Sequence, residues 1–331
     1  MAGVSQTTVS RVLQEHPNVS AATRERVLQV LAQSNYRPNA MARAMKTNRT
    51  GTIGVIVARI TNPVYPELLE ILGRKLALTG HRTVVWDAET GGEDAAIDAI
   101  VEGLVDGVVF TTVTKNSPAL RRAIECAAPV VLVNRIVEEV PCDQVTSDNL
   151  GGAAQIASYF IANQRQRIGL ISGPQHASTI RDRERSFRET LHTGGQQIAP
   201  ELYHRVDNIS YKSGNAAMLR LLELAAPPDA VFCANDVLAL GALDAARTLG
   251  VRVPEDLWIA GYDDIEMASW DAFSLTTVRQ PLMQMAHLAI DLLLARVERT
   301  TAEHKTYCLS SDFVIRGSTA RTPVKRPGPI I

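Results

Sequence analysis

Two groups of polar residues in this chain have the types and spacing to do chemistry. In GVSQTTVSRVL, residues 3–13, Gln6, Thr7, Ser10 and Arg11 share one face of a helix whose apolar stripe is Val9, Val12 and Leu13. Amide, hydroxyl and guanidinium groups on one face suit a polyanion, although on spacing alone the same face is the wetted side of an amphipathic helix. The second group follows apolar runs far downstream. Asn134–Arg135 follows PVVLV, Asn235–Asp236 follows DAVFCA, and Asp263–Asp264 follows LWIAGY. If those runs are parallel strands, residues at their carboxyl ends face a crevice that takes a small ligand. No catalytic set accompanies them. No GxGxxG follows the first strand-like run, no GxxxxGK(S/T) occurs, and no Ser/His/Asp arrangement is evident. Histidines are dispersed, and Cys126, Cys142, Cys233 and Cys308 form no CxxC pair. No catalytic residue, metal site or cofactor is expected, and the cysteines read as buried thiols.

The elements that must position these residues fall into two kinds. Residues 1–50 carry seven Lys/Arg against two acids, a charge of +5, while the remainder carries 27 basic and 33 acidic residues, −6. A basic segment on an acidic body suggests a polyanion partner for that segment alone. It is patterned, not a tail. Ser5 can cap the helix of Gln6–Leu13, and Ser20 a second helix with Val27, Leu28, Val30 and Leu31 inward. Asn39 can cap a short third helix, AMARAMK, before the polar link TNRTG.

From Thr52 onward, apolar runs alternate with amphipathic stretches: TIGVIVA, then 63–80, TVVWDA, 93–104, GVVFTT, 118–127, PVVLVNR. A second series starts near Asn149 and ends with LWIAGYDD. Such alternation implies parallel sheets with helices on both faces, here in two similar lobes. After 264, LTTVRQP, a long helix over 282–298 and YCLSSDFVIRGS read as crossings by which the lobes exchange terminal elements. No run of about 18 apolar residues exists, so no membrane helix is expected. No apolar run follows the first charge, so no secretory leader is expected either, and the location is expected to be cytoplasmic.

The order of these parts resembles the lactose-repressor (LacI/GalR) family of bacterial transcription regulators. GVSQTTVSRVL, NVSAATRERV and NYRPNAMARAMKT look like that family's headpiece and hinge; IGVIVARITNPVYPEL, GLISGP with RDRERSF, VFCANDVLALG, IAGYDD and LTTVRQP look like its effector-binding core. The resemblance implies an α/β fold. A two-lobed, periplasmic-binding-protein-like (type I) core of doubly wound parallel sheets follows a small all-α, partial helix-turn-helix headpiece and a hinge helix. The implied layout is headpiece 1–37, hinge and linker 38–51, first lobe 52–149 plus 279–306, second lobe 150–278 plus 307–318, and a disordered tail 319–331.

The resemblance also assigns residues. On a recognition helix in the major groove, Gln6 is placed for bidentate base contacts, Thr7 for a thymine methyl, and Arg11 for guanine or phosphate, with Ser10 on the same face. Arg24 reads as a phosphate anchor, and Asn39 is counted with the DNA contacts at the hinge. Met45 stands where the family's leucine wedge opens a base step in the minor groove; Met41 and Met45 packing onto the core is the alternative. Tyr65, Asn134, Arg183, Asn235 and Asp263 are the expected effector-binding residues. Ile209 stands where some relatives carry an aromatic, and Ser186 where the family has Gly. Trp270 reads either as lining the cleft mouth or as a buried packing residue.

The implied function is a ligand-responsive repressor binding a palindromic operator as a homodimer, switched by a small polar effector, a sugar or sugar derivative, with no membrane partner. A tetramer is not expected, because STARTPVKRPGPII has three prolines and no heptad. Only Met1 precedes Ala2–Ser5, so the first helix of the helix-turn-helix is expected to be missing, through a misassigned start or a truncation. On that expectation Val9, Val12 and Leu13 are poorly buried, and operator DNA is a partner once that helix is restored. The alternatives are an effector-binding sensor without DNA binding and a sugar-binding protein of the solute-binding class.

Overall fold

The computed structural model describes residues 2–13, 16–33, 49–114, 116–299 and 303–320. It forms two compact units, Met1–Thr50 and Gly51–Ile331. The expected helix over 40–46, with Asn39 and Met45, lies outside the described residues, as does the tail from 321.

In the first unit α1 (Gln6–Leu13) is capped by Ser5, whose hydroxyl accepts from the Thr8 N–H at 3.1 Å. The Ser20 hydroxyl accepts from the Thr23 N–H at 3.3 Å at the start of α2 (Ala21–Gln33). The two helices pack on each other, with Val12 2% and Val27 1% exposed. Val12 therefore does not show the poor burial expected of it; α2 supplies its cover. Leu28, expected inward, is 49% exposed.

The second unit is built from two parallel sheets. The first takes β1 (Thr52–Val57), β2 (Arg82–Asp87), β3 (Gly107–Phe110), β4 (Val130–Val133), β5 (Asp143–Ser147) and β11 (Thr306–Leu309), in the order β11–β5–β4–β3–β1–β2. The helices between them are α3 (Val64–Leu78), α4 (Gly92–Val101) and α5 (Pro118–Glu125). β1 is buried along its whole length because helices cover both faces. α3 turns Leu68, Leu72 and Leu76, spaced four apart, into this core. From the far end of the chain α10 (Leu282–Val297) adds Met285, Ala289 and Leu293.

The second sheet has the order β7–β6–β8–β9, from β6 (Ile168–Ser172), β7 (Tyr203–Arg205), β8 (Ala230–Cys233) and β9 (Trp258–Ala260). Its helices are α6 (Asn149–Ala162), α7 (Ser178–Thr193), α8 (Tyr211–Leu222) and α9 (Asp236–Thr248). Phe187 sits between Phe160 and Phe232, at 6.1 and 4.7 Å between ring centroids. α8 and α9 cross on glycines: a Cβ on Gly241 would lie 2.1 Å from the Tyr211 carbonyl, and one on Gly214 2.2 Å from that of Leu238. β10 (Thr277–Arg279) pairs antiparallel with β12 (Asp312–Val314), and Thr276 is bridged to Ala260.

Three boundaries differ from the sequence reading. β5, DQVTS, was not expected as a strand because it is short and polar. It is fully buried because each polar side chain has a partner: Asp143 with Arg296 at 2.7 Å, Gln144 with the Val137 backbone, Thr146 with the Asn134 carbonyl, Ser147 with Gln280. β11 extends the first sheet beside β5 instead of belonging with the second lobe from 307, since the α10 crossover returns the chain parallel to β5. The ordered chain also continues past Ser318: the buried Thr319 hydroxyl lies 2.7 Å from that of Thr276. Of the cysteines, only Cys142 and Cys233 are buried; Cys126 and Cys308 are exposed.

Candidate functional site: an interlobe cavity

The chain passes between the sheets three times, and the passages are tied together. Ser147 at the end of β5 donates to the Gln280 Oε1 after β10 at 2.8 Å, and the Asp148 N–H donates to the Leu309 carbonyl at the end of β11 at 2.7 Å. Beside these ties the carboxyl ends of both sheets meet, at the strands where each sheet's order reverses. A cavity of about 30 Å³ lies there, its lining including Tyr65, Asn134, Arg135, Arg183, Asn235 and Asp263. All five effector residues expected from the sequence therefore come together. The space suits water-sized contents, so a sugar-sized ligand enters only if the lobes separate.

Arg183 is the hub of the second-lobe wall. It is 2% exposed. Its Nε donates to Asn149 Oδ1 at 2.7 Å, Nη1 to the Ala234 carbonyl at 2.9 Å, and Nη2 pairs with Asp263 Oδ1 at 2.9 Å. Its guanidinium lies 3.6 Å from the Tyr262 ring centroid. Asp263 also accepts from Gln280 Nε2 at 2.7 Å. Burial pushes the Asp263 carboxyl up, against the opposing charge of Arg183 and its hydrogen bonds from Gln280 and Arg183. Asn235 caps α9, its Oδ1 accepting from the Leu238 N–H at 3.0 Å, which leaves its NH₂ as a donor.

Asp236 next to it is a scaffold residue. It accepts from the Thr277 hydroxyl at 2.6 Å and the Ile265 N–H at 3.0 Å. Burial, then the nearby charge of Asp263, push its pKa up to about 8. Asp264 is taken up by Arg279 and Arg316 at 2.7 and 2.6 Å, so of the GYDD pair only Asp263 faces the cavity.

The first-lobe wall is held by its backbone. Asn134 ends β4 at φ 77°, a left-handed conformation that Asn tolerates; its N–H donates to the Val145 carbonyl at 2.8 Å. Tyr65 is buried in the first turn of α3. Ile209 lines the cavity from the second lobe with an aliphatic surface, so it provides no aromatic stacking. Ser186 donates to the Leu150 carbonyl at 2.7 Å, a contact glycine could not make. Trp270 fits neither expectation: it is 48% exposed, packs on Phe273 and does not line the cavity.

Gln280 and Asn149 were missed as site residues: they are joined to Asp263 and Arg183 by long-range pairings that no local pattern encodes. Arg135, placed with Asn134 at the carboxyl end of a strand though not among the five effector residues, lines the cavity as well.

In the first unit Thr7 and Arg11 are exposed on α1; the side chains of Gln6 and Ser10 lie outside the described ones. Arg24 is half-buried and donates through Nη2 to the His16 carbonyl at 3.0 Å, so it ties α2 to the preceding turn. Among the described residues no cluster of metal-ligating side chains occurs, and no helix is long and apolar enough to cross a membrane.

The chain matches the model of bacterial regulatory proteins of the lacI family over residues 1–39, and that of the periplasmic binding protein-like domain over 157–319. It is 33% identical to the HTH-type transcriptional repressor CytR of Escherichia coli K12 over 324 residues, 97% of this chain and 95% of that one. The chain belongs to the LacI family. The ribose operon repressor of the same strain is 31% identical over 96% of this chain and 97% of its own. Among solved structures, the lac repressor dimer bound to operator and the anti-inducer ONPF superposes with a TM-score of 0.85 at 25% identity, covering 96% of both chains. The transcriptional regulator CelR–cellobiose complex does so with 0.76 at 31%, covering 96% of this chain and 97% of that one. These relatives are named as regulators, not enzymes.

Proposed function

We propose that this protein is a repressor of transcription that binds a palindromic operator as a homodimer and is switched by a small polar effector, a sugar or sugar derivative, held in the interlobe cavity. The observation carrying the reading is the convergence of Tyr65, Asn134, Arg183, Asn235 and Asp263 on one cavity between the two sheets, in a family whose members include a ribose operon repressor and a regulator seen with cellobiose. An effector binding both walls stabilises one spacing of the lobes and thereby biases the DNA-binding state.

Gln6, Thr7, Ser10 and Arg11 on α1 are the base-reading face, and Arg24, beyond its tie to His16, keeps donors for phosphate. Asn39 and Met45 are the hinge contacts. Dimerisation uses the first lobe, where Leu78 at the end of α3, Val84 and Val85 on the β2 edge, and Val101 and Leu104 are exposed.

The test is selection of bound sequences from a random DNA library, with and without ligands that raise the thermal midpoint. Enrichment of a palindrome whose binding changes with ligand is expected. Ligand binding with no sequence enriched would show a sensor that does not read DNA. Sedimentation should give a dimer; a stable tetramer at micromolar concentration would contradict that part.

A further inference from the structure

The charges around the cavity do not balance. Its charged lining residues are Arg135, Arg183 and Asp263. Arg183 and Asp263 neutralise each other. Of the neighbouring carboxylates, Asp264 pairs with Arg279 and Arg316, Glu138 with Arg181 at 3.5 Å, and Glu89 with Arg59 at 3.3 Å, while Glu67 lies towards Asp264 and Asp263 and makes no ion pair with Arg135. Asp236 is buried behind Thr277 and Ile265, where burial, then the nearby charge of Asp263, push its carboxyl towards the neutral form. Among the described residues none offers Arg135 an ion pair, and its Nε is buried with no hydrogen-bond partner. A buried donor of a charged group without a partner is costly, and the cost falls when an acceptor arrives.

Two further features agree with a positive potential on this side of the cavity. Thr179 and Ile180, in the first turn of α7, line the cavity, and no side chain caps that 16-residue helix, so its amino end favours negative charge. His176, just before α7, has its pKa held below the usual imidazole value by burial, then by the charges of Arg135 and Arg59.

We infer that the effector carries an anionic group, a carboxylate or a phosphate, and that this group seats on the Arg135 guanidinium. The inference rests on the cavity being the effector site, as proposed above. Arg183 is not the seat, since its charge is paired with Asp263 and Asn149 and the Ala234 carbonyl engage two further donors. A guanidinium matches either anion in a two-pronged geometry, and the remaining polar groups of the walls are left for hydroxyls. A neutral sugar would leave the charge of Arg135 uncompensated in a closing cleft.

The experiment is thermal shift followed by calorimetry on the full chain with matched triads of probes. For each of several pentoses and hexoses the triad is the neutral sugar, its acid and its terminal phosphate. The acid or the phosphate of at least one triad should bind at least about tenfold more tightly than its neutral member, and which of the two binds identifies the anion. Arg135→Gln should abolish that preference, and Arg135→Lys, which keeps the charge, should retain part of it. The ligand-free midpoint of each variant shows whether it is folded. If a neutral member binds as tightly as its charged partners, or if the preference survives Arg135→Gln, the anionic seat is wrong while the cavity remains the effector site. If no triad gives any binding, the carbohydrate reading fails and this inference fails with it.

Discussion

The two walls of the cavity are built differently. On the second-lobe wall Arg183, Asp263, Gln280 and Asn149 are locked to one another within 2.7–2.9 Å. On the first-lobe wall Asn134 and Tyr65 are placed by backbone and packing, and Arg135 keeps a buried Nε without a partner. The difference separates two tasks. A wall whose charged groups are paired with one another is rigid and resists rearrangement; a wall whose charged group lacks a partner gains when a ligand supplies one. Substitutions on the second wall should therefore be felt in stability before any ligand is added, and those on the first mainly when it binds.

The largest effect is expected for Arg183→Ala, which leaves Asp263 buried without its cation. Removing one partner of a buried pair costs about 3–5 kcal/mol, read as a fall in the denaturant midpoint of the ligand-free chain. A change below about 1 kcal/mol would show that Arg183 is not structural. Gln280→Ala removes the link between Ser147 and Asp263 and should cost about 1–3 kcal/mol. It should also raise proteolysis at the interlobe crossings.

A smaller effect separates Asp236 from its neighbours. Its folded pKa, about 8, is raised above its unfolded value by burial and by Asp263. The folded state then holds a proton that the unfolded state releases, so this contribution is full at low pH and is lost as pH rises towards 8. Asp236→Asn removes the charge while its amide oxygen accepts from the Ile265 N–H and its NH₂ donates to the Thr277 hydroxyl. Its thermal midpoint should decline less than the parent's between pH 5 and pH 8; parallel declines would remove Asp236 as the cause. The smallest stability effect belongs to the first wall: Asn134→Gly, which keeps the left-handed backbone without steric cost, should shift the ligand-free midpoint by no more than about 1 kcal/mol.

The architecture was legible where physics is local. β1 and β4 read as strands because both their faces are buried and apolar, and α3 as a helix because Leu68, Leu72 and Leu76 recur four apart. β5 was not legible, because its burial depends on partners as distant as Arg296 and Gln280. The edge at which β11 adds was equally hidden, since a short strand with alternating exposure fits either sheet. Within the site, strand-terminal Asn134, Asn235 and Asp263 could be found from position alone. Gln280 and Asn149 could not, because their roles arise from contacts across 133 and 34 residues. The apolar reading of Leu28 failed because α1 leaves that side of α2 open.

Effector binding in the cavity is tested most directly by calorimetric titration of an identified ligand into the parent chain and into Asn134→Gly, the variant whose backbone keeps the left-handed conformation and whose ligand-free stability should stay closest to the parent's. Affinity should fall about tenfold, as expected for loss of hydrogen bonds to a ligand in a closed cleft. Equal affinity in both proteins, with Arg183→Ala also unchanged where it remains folded, would place the ligand elsewhere and contradict the account.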